Sequence, residues 1–254
     1  MTLNSLRYGA ATGLPTLLIA HGLFGSARNW GAIAKRMADS RAVISVDMRN
    51  HGESPWADSH SYADLAQDLA ELIEAEGGPV DLLGHSMGGK ASMMLALARP
   101  DQVNRLLVAD IAPVAYAHSQ TPLIEAMRKL DLGALTTRAE ADAALAKDVD
   151  NPGVRAFLLQ SLDLRAEPPR WRLNLDVLEQ EMDRITGWPD PSGQYGGPTL
   201  FLSGAASDYV QPAHRPAIKA LFPNARFAKL PGAGHWLHAE APRPFEQSLR
   251  SWFD

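Results

Sequence analysis

The stretch Leu82–Ala91, "LLGHSMGGKA", decides how the chain is read, and on its own it admits two chemistries. Gly84 to Lys90 spells G-x-x-x-x-G-K, a phosphate-binding loop that lacks its final hydroxyl. Gly84, Ser86 and Gly88 spell G-x-S-x-G, the turn that presents a nucleophilic serine. Both motifs sit between a strand and a helix, so local structure does not separate them. A phosphate loop needs a Ser or Thr directly after its lysine to ligate magnesium. Ala91 stands there and cannot ligate a metal; Asp47 and Asp110, the nearest strand-end carboxylates, are better explained otherwise. The serine turn asks for small residues two before and two after the nucleophile. Gly84 and Gly88 supply them, and Gly89 adds room. A glycine-rich turn around a bystander serine has the same spelling, so the partners must decide.

A serine hydroxyl is a weak nucleophile until a base accepts its proton and an acid orients the base. On a strand–turn–helix elbow the chain order is Ser, then Asp or Glu, then His. His235, in "GAGHWLHAE" (232–240), lies on a glycine-flanked loop between the last strand and the last helix and is the candidate base. His238, three residues on, reads as a packed or hydrogen-bonding neighbour. Two acids satisfy the order. Asp208, in "GAASDYV" (204–210), follows the late strand and stands first. Asp110, in "VADIAP" (108–113), ends the strand after the elbow helix and is the alternative; both can also be placed against the imidazole. Two backbone N–H groups are needed to hold a developing oxyanion. Met87 follows the nucleophile, and Leu23, in "AHGLFGS" (20–26), lies in the loop after an early strand.

The remaining composition is that of an ordinary globular chain. Its 254 residues suit one large α/β unit, and its net charge of −5 argues against nucleic acid or an anionic membrane as the main partner. There is no cysteine, which excludes disulfides, thiolate catalysis and Cys-based metal sites and fits a reducing compartment. The first apolar run, Leu17 to Ala20, is too short for a signal or a membrane span, so a cytoplasmic protein is expected, monomeric or a small homo-oligomer.

Apolar runs alternate with helical periodicity. "TLLIA" (16–20), "AVISV" (42–46), "VDLLG" (80–84), "RLLVADIAP" (105–113), "PTLFLSG" (198–204) and "ARFAKLP" (225–231) read as strands. Ser61 opens a helix with Asp64 as its capping partner, Gly77-Gly78-Pro79 closes it, and a last helix runs from about Pro242 to Phe253. Strands apolar throughout, separated by helices, imply a mostly parallel sheet covered on both faces. From about Ala115 to Gly197 the rhythm changes to helix after helix, with no convincing strand. An all-helical insertion there is expected as a lid over the carboxyl edge of the sheet, where open α/β sheets bind ligands. The expected organisation is a core of residues 1–114 and 198–254 with a lid of residues 115–197.

Taken together, "HGLFGS", "DMRNHGES", "GHSMGGK", "ADIAPV" and "GAGHWLHAE" resemble the α/β-hydrolase superfamily, and within it the small bacterial acyl esterases. The resemblance covers the core and hardly touches the lid. It implies an α/β-hydrolase fold and a serine esterase or thioesterase that works through an acyl-enzyme without metal or cofactor. It carries the roles of nucleophile to Ser86, base to His235 and oxyanion donors to Leu23 and Met87. Close relatives recruit the acid at the Asp110 position, whereas the superfamily at large uses the Asp208 position. Asp47, Arg49 and His51 are expected to brace their loop. The expected substrate is a small acyl ester or thioester of short to medium chain. Hydrolysis of carbon–carbon bonds or peracid formation would use the same triad, and a non-catalytic binding protein on this fold is a further alternative. Trp171, Trp188, Leu158, Leu159, Leu162 and Met182 are expected mostly to pack between lid and sheet, with some lining an acyl pocket. Arg128, Arg155, Arg165 and Arg172 are candidates to meet an anionic substrate, or else are solvated. No role is assigned to Lys90.

Overall fold

A computed structural model describes residues 1–254. The chain forms β1 (Ser5–Tyr8), β2 (Leu17–Ala20), α1 (Gly31–Met37), β3 (Val43–Val46), α2 (Tyr62–Glu76), β4 (Val80–His85), α3 (Met87–Ala98) and β5 (Val103–Ala109). After β5 come α4 (Thr121–Arg128), α5 (Arg138–Leu145), α6 (Pro152–Leu159), β6 (Leu162–Asp163), β7 (Arg170–Trp171), α7 (Leu175–Gln180) and α8 (Met182–Thr186). The chain then returns to the sheet with β8 (Thr199–Gly204), α9 (Arg215–Leu221), β9 (Ala225–Leu230), α10 (Leu237–Glu240) and α11 (Pro242–Phe253).

Seven strands build one sheet in the order β1-β3-β2-β4-β5-β8-β9. All neighbours run parallel except β1, which pairs antiparallel with β3. Successive side chains on a strand face opposite sides of a sheet, and the alternation splits the core. Leu18, Leu82 and Leu106 join a cluster with α2, α3 and the helices after β5. Leu17, Leu83 and Leu107 join a second cluster with α1 and α11 through Trp30, Met37, Phe245 and Phe253. Central strands are buried on both faces and mostly apolar for this reason, and β2 is apolar at every position.

The fold agrees with the sequence reading: a mostly parallel sheet between helical layers. The Ser61 hydroxyl accepts the Asp64 amide at 3.2 Å at the start of α2, and Gly77 ends it at φ 84°. Three strands have no counterpart in that reading. β1, "SLRY", carries no apolar run and is a strand because its register with β3 supplies the hydrogen bonds. β6 and β7 form a two-residue antiparallel ribbon, too short for any periodicity, inside a segment that is otherwise helical. Residues Leu158, Leu178 and Met182 of that segment belong to the same cluster as α2 and α3, so it packs continuously onto one face of the sheet.

Candidate active site

β4 ends at His85 and α3 begins at Met87, leaving one residue to turn the chain. Ser86 makes the turn at φ 53°, ψ −119°, a strained conformation for a residue with a side chain. Crowding explains its glycines. A Cβ on Gly84 would lie 2.4 Å from the Gly88 carbonyl oxygen, and one on Gly88 would lie 2.4 Å from that of Ala20. The Ser86 amide donates to the Ala109 carbonyl at 3.0 Å, which ties the elbow to β5.

His235 lies on the loop between β9 and α10. Its Nε2 is 3.1 Å from the Ser86 Oγ, and its Nδ1 is 2.7 Å from Asp110 Oδ2. The carboxylate accepts from Nδ1–H, which leaves Nε2 to accept the serine proton. His85 Nε2–H donates to the His235 carbonyl at 2.8 Å, and the Tyr209 ring stacks on the imidazole with centroids 4.0 Å apart. The Glu240 carboxylate accepts the Gly234 and Trp236 amides on either side of the histidine.

Of the two candidate acids, the structure places Asp110 and not Asp208 against His235. Asp208 is exposed, and its carboxylate bonds no protein group; only its carbonyl is used, by the Gln211 amide at 3.2 Å. Asp110 is fully buried at the end of β5. Its left-handed φ of 51° turns the side chain across the sheet edge toward His235. Its carboxylate also accepts the Gly204 amide at 3.0 Å and the Ser207 hydroxyl. Three donors thus converge on a buried anion, which is what burying a carboxylate requires. The loop after β8 contributes Ser207 and Tyr209 to the site rather than Asp208. No pattern in the sequence singles out Ser207, Tyr209 or His85.

Leu23 and Met87 both border the cavity beside Ser86. Met87 is the first residue of α3, so its amide has no intrahelical acceptor. Leu23 precedes Phe24, which sits at φ 63°. The Phe24 amide donates to His51 Nε2 at 3.1 Å, and its carbonyl accepts the Ser161 hydroxyl at 2.9 Å. His51 Nδ1–H is spent on the Arg49 carbonyl at 2.9 Å, which fixes the tautomer that can accept. In return, the Met48 amide donates to His21 Nε2 at 3.0 Å. Asp47 accepts the Ala27 amide at 2.7 Å and the Glu53 amide at 2.9 Å, and Arg49 forks onto Asp68. These residues bind the 21–27 loop to the 47–54 loop. Burial holds the His21, His51 and His85 imidazoles below their ordinary pKa, and it holds His60 down to about 3.

A cavity of about 560 Å³ opens over Ser86. Its apolar wall includes Leu123, Val154, Phe157 and Ile185. None of the six apolar residues of the 115–197 segment singled out in the sequence lines it; Trp171, Leu158, Leu159, Leu162 and Met182 are buried in the core. None of the four arginines lines it either. Arg128 pairs with Asp176 and Glu179, Arg155 with Asp142, Arg172 with Asp163 and Glu53, and Arg165 is exposed. Lys90, by contrast, does line it. Its amine donates to the Thr186 and Gly187 carbonyls at 2.9 and 2.5 Å, an arrangement unrelated to phosphate binding.

Comparison with known proteins agrees with this geometry. A family model described as "Alpha/beta hydrolase family" matches residues 17–247. The chain is 43% identical over 253 residues to a mouse protein named sn-1-specific diacylglycerol lipase ABHD11, covering 96% of this chain and 82% of that one. It is 35% identical to the Escherichia coli protein named Esterase YbfF, covering 94% and 92% of the two chains. A solved structure titled "Marine microorganism esterase" superposes with a TM-score of 0.94 at 38% identity, over 99% of each chain. On the strength of its sheet order, its elbow and these matches, the chain belongs to the alpha/beta hydrolase family.

Proposed function

We propose that the protein hydrolyses small acyl esters or thioesters of short to medium chain through an acyl-enzyme formed on Ser86. The enzyme is an ester hydrolase, as its named esterase and lipase relatives support. The observation that carries the triad is His235 bridging Ser86 Oγ at 3.1 Å and Asp110 at 2.7 Å. His235 Nε2 takes the Ser86 proton as Oγ attacks the acyl carbon. Asp110 stabilises the imidazolium that results. The carbonyl oxygen becomes an oxyanion and accepts from the Leu23 and Met87 amides, each such donor being worth roughly 10²–10³ in rate. His235 then returns the proton to the departing alcohol or thiol. Water, deprotonated by the same imidazole, attacks the acyl-enzyme and releases the acid.

The helical segment 115–197 acts as a lid whose residues wall the acyl site. A cavity of about 560 Å³ with an apolar wall suits a short or medium acyl chain. Incubation with a fluorophosphonate probe and with p-nitrophenyl esters of graded length tests the reading. Labelling and turnover that vanish in Ser86→Ala are expected. Folded protein that neither labels nor turns over any ester would overturn it.

A further inference from the structure

We infer that Lys90 is a specificity residue that receives a second carboxylate on the acyl group, so that the preferred substrates are half-esters of short dicarboxylic acids. The inference rests on the esterase reading and names the substrate class of that same site.

Lys90 is 1% exposed, and it is the one lysine or arginine lining the cavity. It stands four residues after Ser86 on α3, about 6 Å along the helix axis, and helical side chains lean back toward the N-terminus, here toward the nucleophile. Its surroundings are those of a cation without a counter-ion. No carboxylate of the protein pairs with it; among the acids on the cavity, Asp148 is paired with Lys129. The amine faces the rings of Tyr116 and Tyr62, 4.9 and 5.6 Å from their centroids. Both hydroxyls are turned away, donating to the Tyr209 and Ile185 carbonyls. Two of the three ammonium protons are used, on the Thr186 and Gly187 carbonyls. Tyr116 in turn holds Tyr209, which stacks on His235, so the amine is separated from the catalytic imidazole by two rings.

Holding two lid carbonyls does not by itself call for a charge, because a neutral side-chain amide donates two hydrogen bonds without the penalty of a buried cation. That penalty is visible here: burial pushes the Lys90 amine down to about 7. A carboxylate arriving on the substrate offsets it, accepts the third proton in a hydrogen bond and makes a charge-assisted pair at a buried amine. The spacing from Ser86 suits an acyl chain of about four to six carbons bearing a terminal carboxylate.

Two esters of equal length separate charge from size: mono-4-nitrophenyl glutarate, which ends in a carboxylate, and 4-nitrophenyl pentanoate, which ends in a methyl group. In the wild type, kcat/KM for the glutarate ester is expected to exceed that for the pentanoate by roughly 10- to 100-fold. Lys90→Met is expected to reduce that ratio to about one or below. Because Lys90→Met also releases two lid carbonyls, a second measurement needs no variant. Glutarate is expected to inhibit wild-type hydrolysis of the pentanoate ester at least about tenfold better than pentanoate does. Turnover of the neutral ester with no preference for the anionic one, and no advantage of glutarate as inhibitor, overturns the inference while leaving the esterase reading intact. A preference that persists in Lys90→Met assigns the anion to other residues and overturns it too. No turnover of either ester by folded enzyme overturns both readings.

Discussion

Asp110 and His235 lie 125 positions apart in the chain, and their side chains meet at 2.7 Å across the carboxyl edge of the sheet. β5 delivers the acid and the loop after β9 delivers the base. Asp110→Asn is expected to lower kcat by up to about 10⁴ by presenting the wrong hydrogen-bonding partner to Nδ1. Asp208→Asn, at an exposed carboxylate, is expected to stay within a few-fold of the wild type. Steady-state kinetics on one p-nitrophenyl ester, with circular dichroism to verify folding, checks both. A large loss in Asp208→Asn with Asp110→Asn active would reverse the assignment.

The elbow leaves no space for a methyl group. Gly88→Ala would push a carbon to 2.4 Å of a β2 carbonyl, backbone that cannot swing aside as a side chain does. A cost of about 1–3 kcal/mol is expected from overpacking, with loss of most activity because Ser86 is displaced. Thermal unfolding of the variant reads the first effect and fluorophosphonate labelling rate reads the second. An unshifted midpoint with normal labelling would contradict the geometry.

In the proposed mechanism His51 would act on catalysis through Phe24, whose amide donates to it. Replacing it with leucine leaves the Phe24 amide without its acceptor, at a cost of about 1–3 kcal/mol. The Leu23 amide next to it loses its fixed direction. The expected kinetic signature is a fall in kcat of about tenfold or more with KM little changed, since the oxyanion is met only in the transition state. A change confined to KM would show that the loop shapes substrate binding instead.

Acid should unfold the protein steeply. His21, His51, His60 and His85 are buried and held below their ordinary pKa, so they are neutral in the fold. Unfolded, each titrates near about 6.5, and the unfolded chain becomes the better proton binder below that pH. Stability from these groups is therefore complete above about pH 6.5 and is lost as pH falls, by up to about 1.4 kcal/mol per pH unit for each histidine. Melting temperatures measured between pH 7.5 and 5 should drop progressively. A flat profile would mean that the imidazoles are not buried neutral.

Legibility from sequence followed the range of the physics. The turn at Ser86 and the loop that carries His235 were readable because their requirements are local: small neighbours for a strained turn, and a glycine-flanked loop at a strand end. The helices and central strands were readable from periodicity and capping. Asp110 and Asp208 were not separable, because the choice depends on one left-handed φ and on donors, Gly204 and Ser207, that arrive from another strand. The cavity wall was unreadable for a similar reason. Helices of five to eight residues between β5 and β8 expose their faces according to how they stack, and Trp171 and the chosen leucines went to the core while Leu123, Val154, Phe157 and Ile185 face the cavity.

The hydroxyl of Ser161 reaches from the segment between β5 and β8 to the carbonyl of Phe24. That bond denies the segment the independence of a module. A replacement spliced between β5 and β8 inherits an obligation to the loop after β2: it must present a donor where Ser161 stands, or the 21–27 loop is left with a carbonyl unmet. Retargeting this enzyme by exchanging the whole segment would then alter its rate along with its selectivity, whereas substitutions at Leu123, Val154 or Phe157 alone would leave that connection in place.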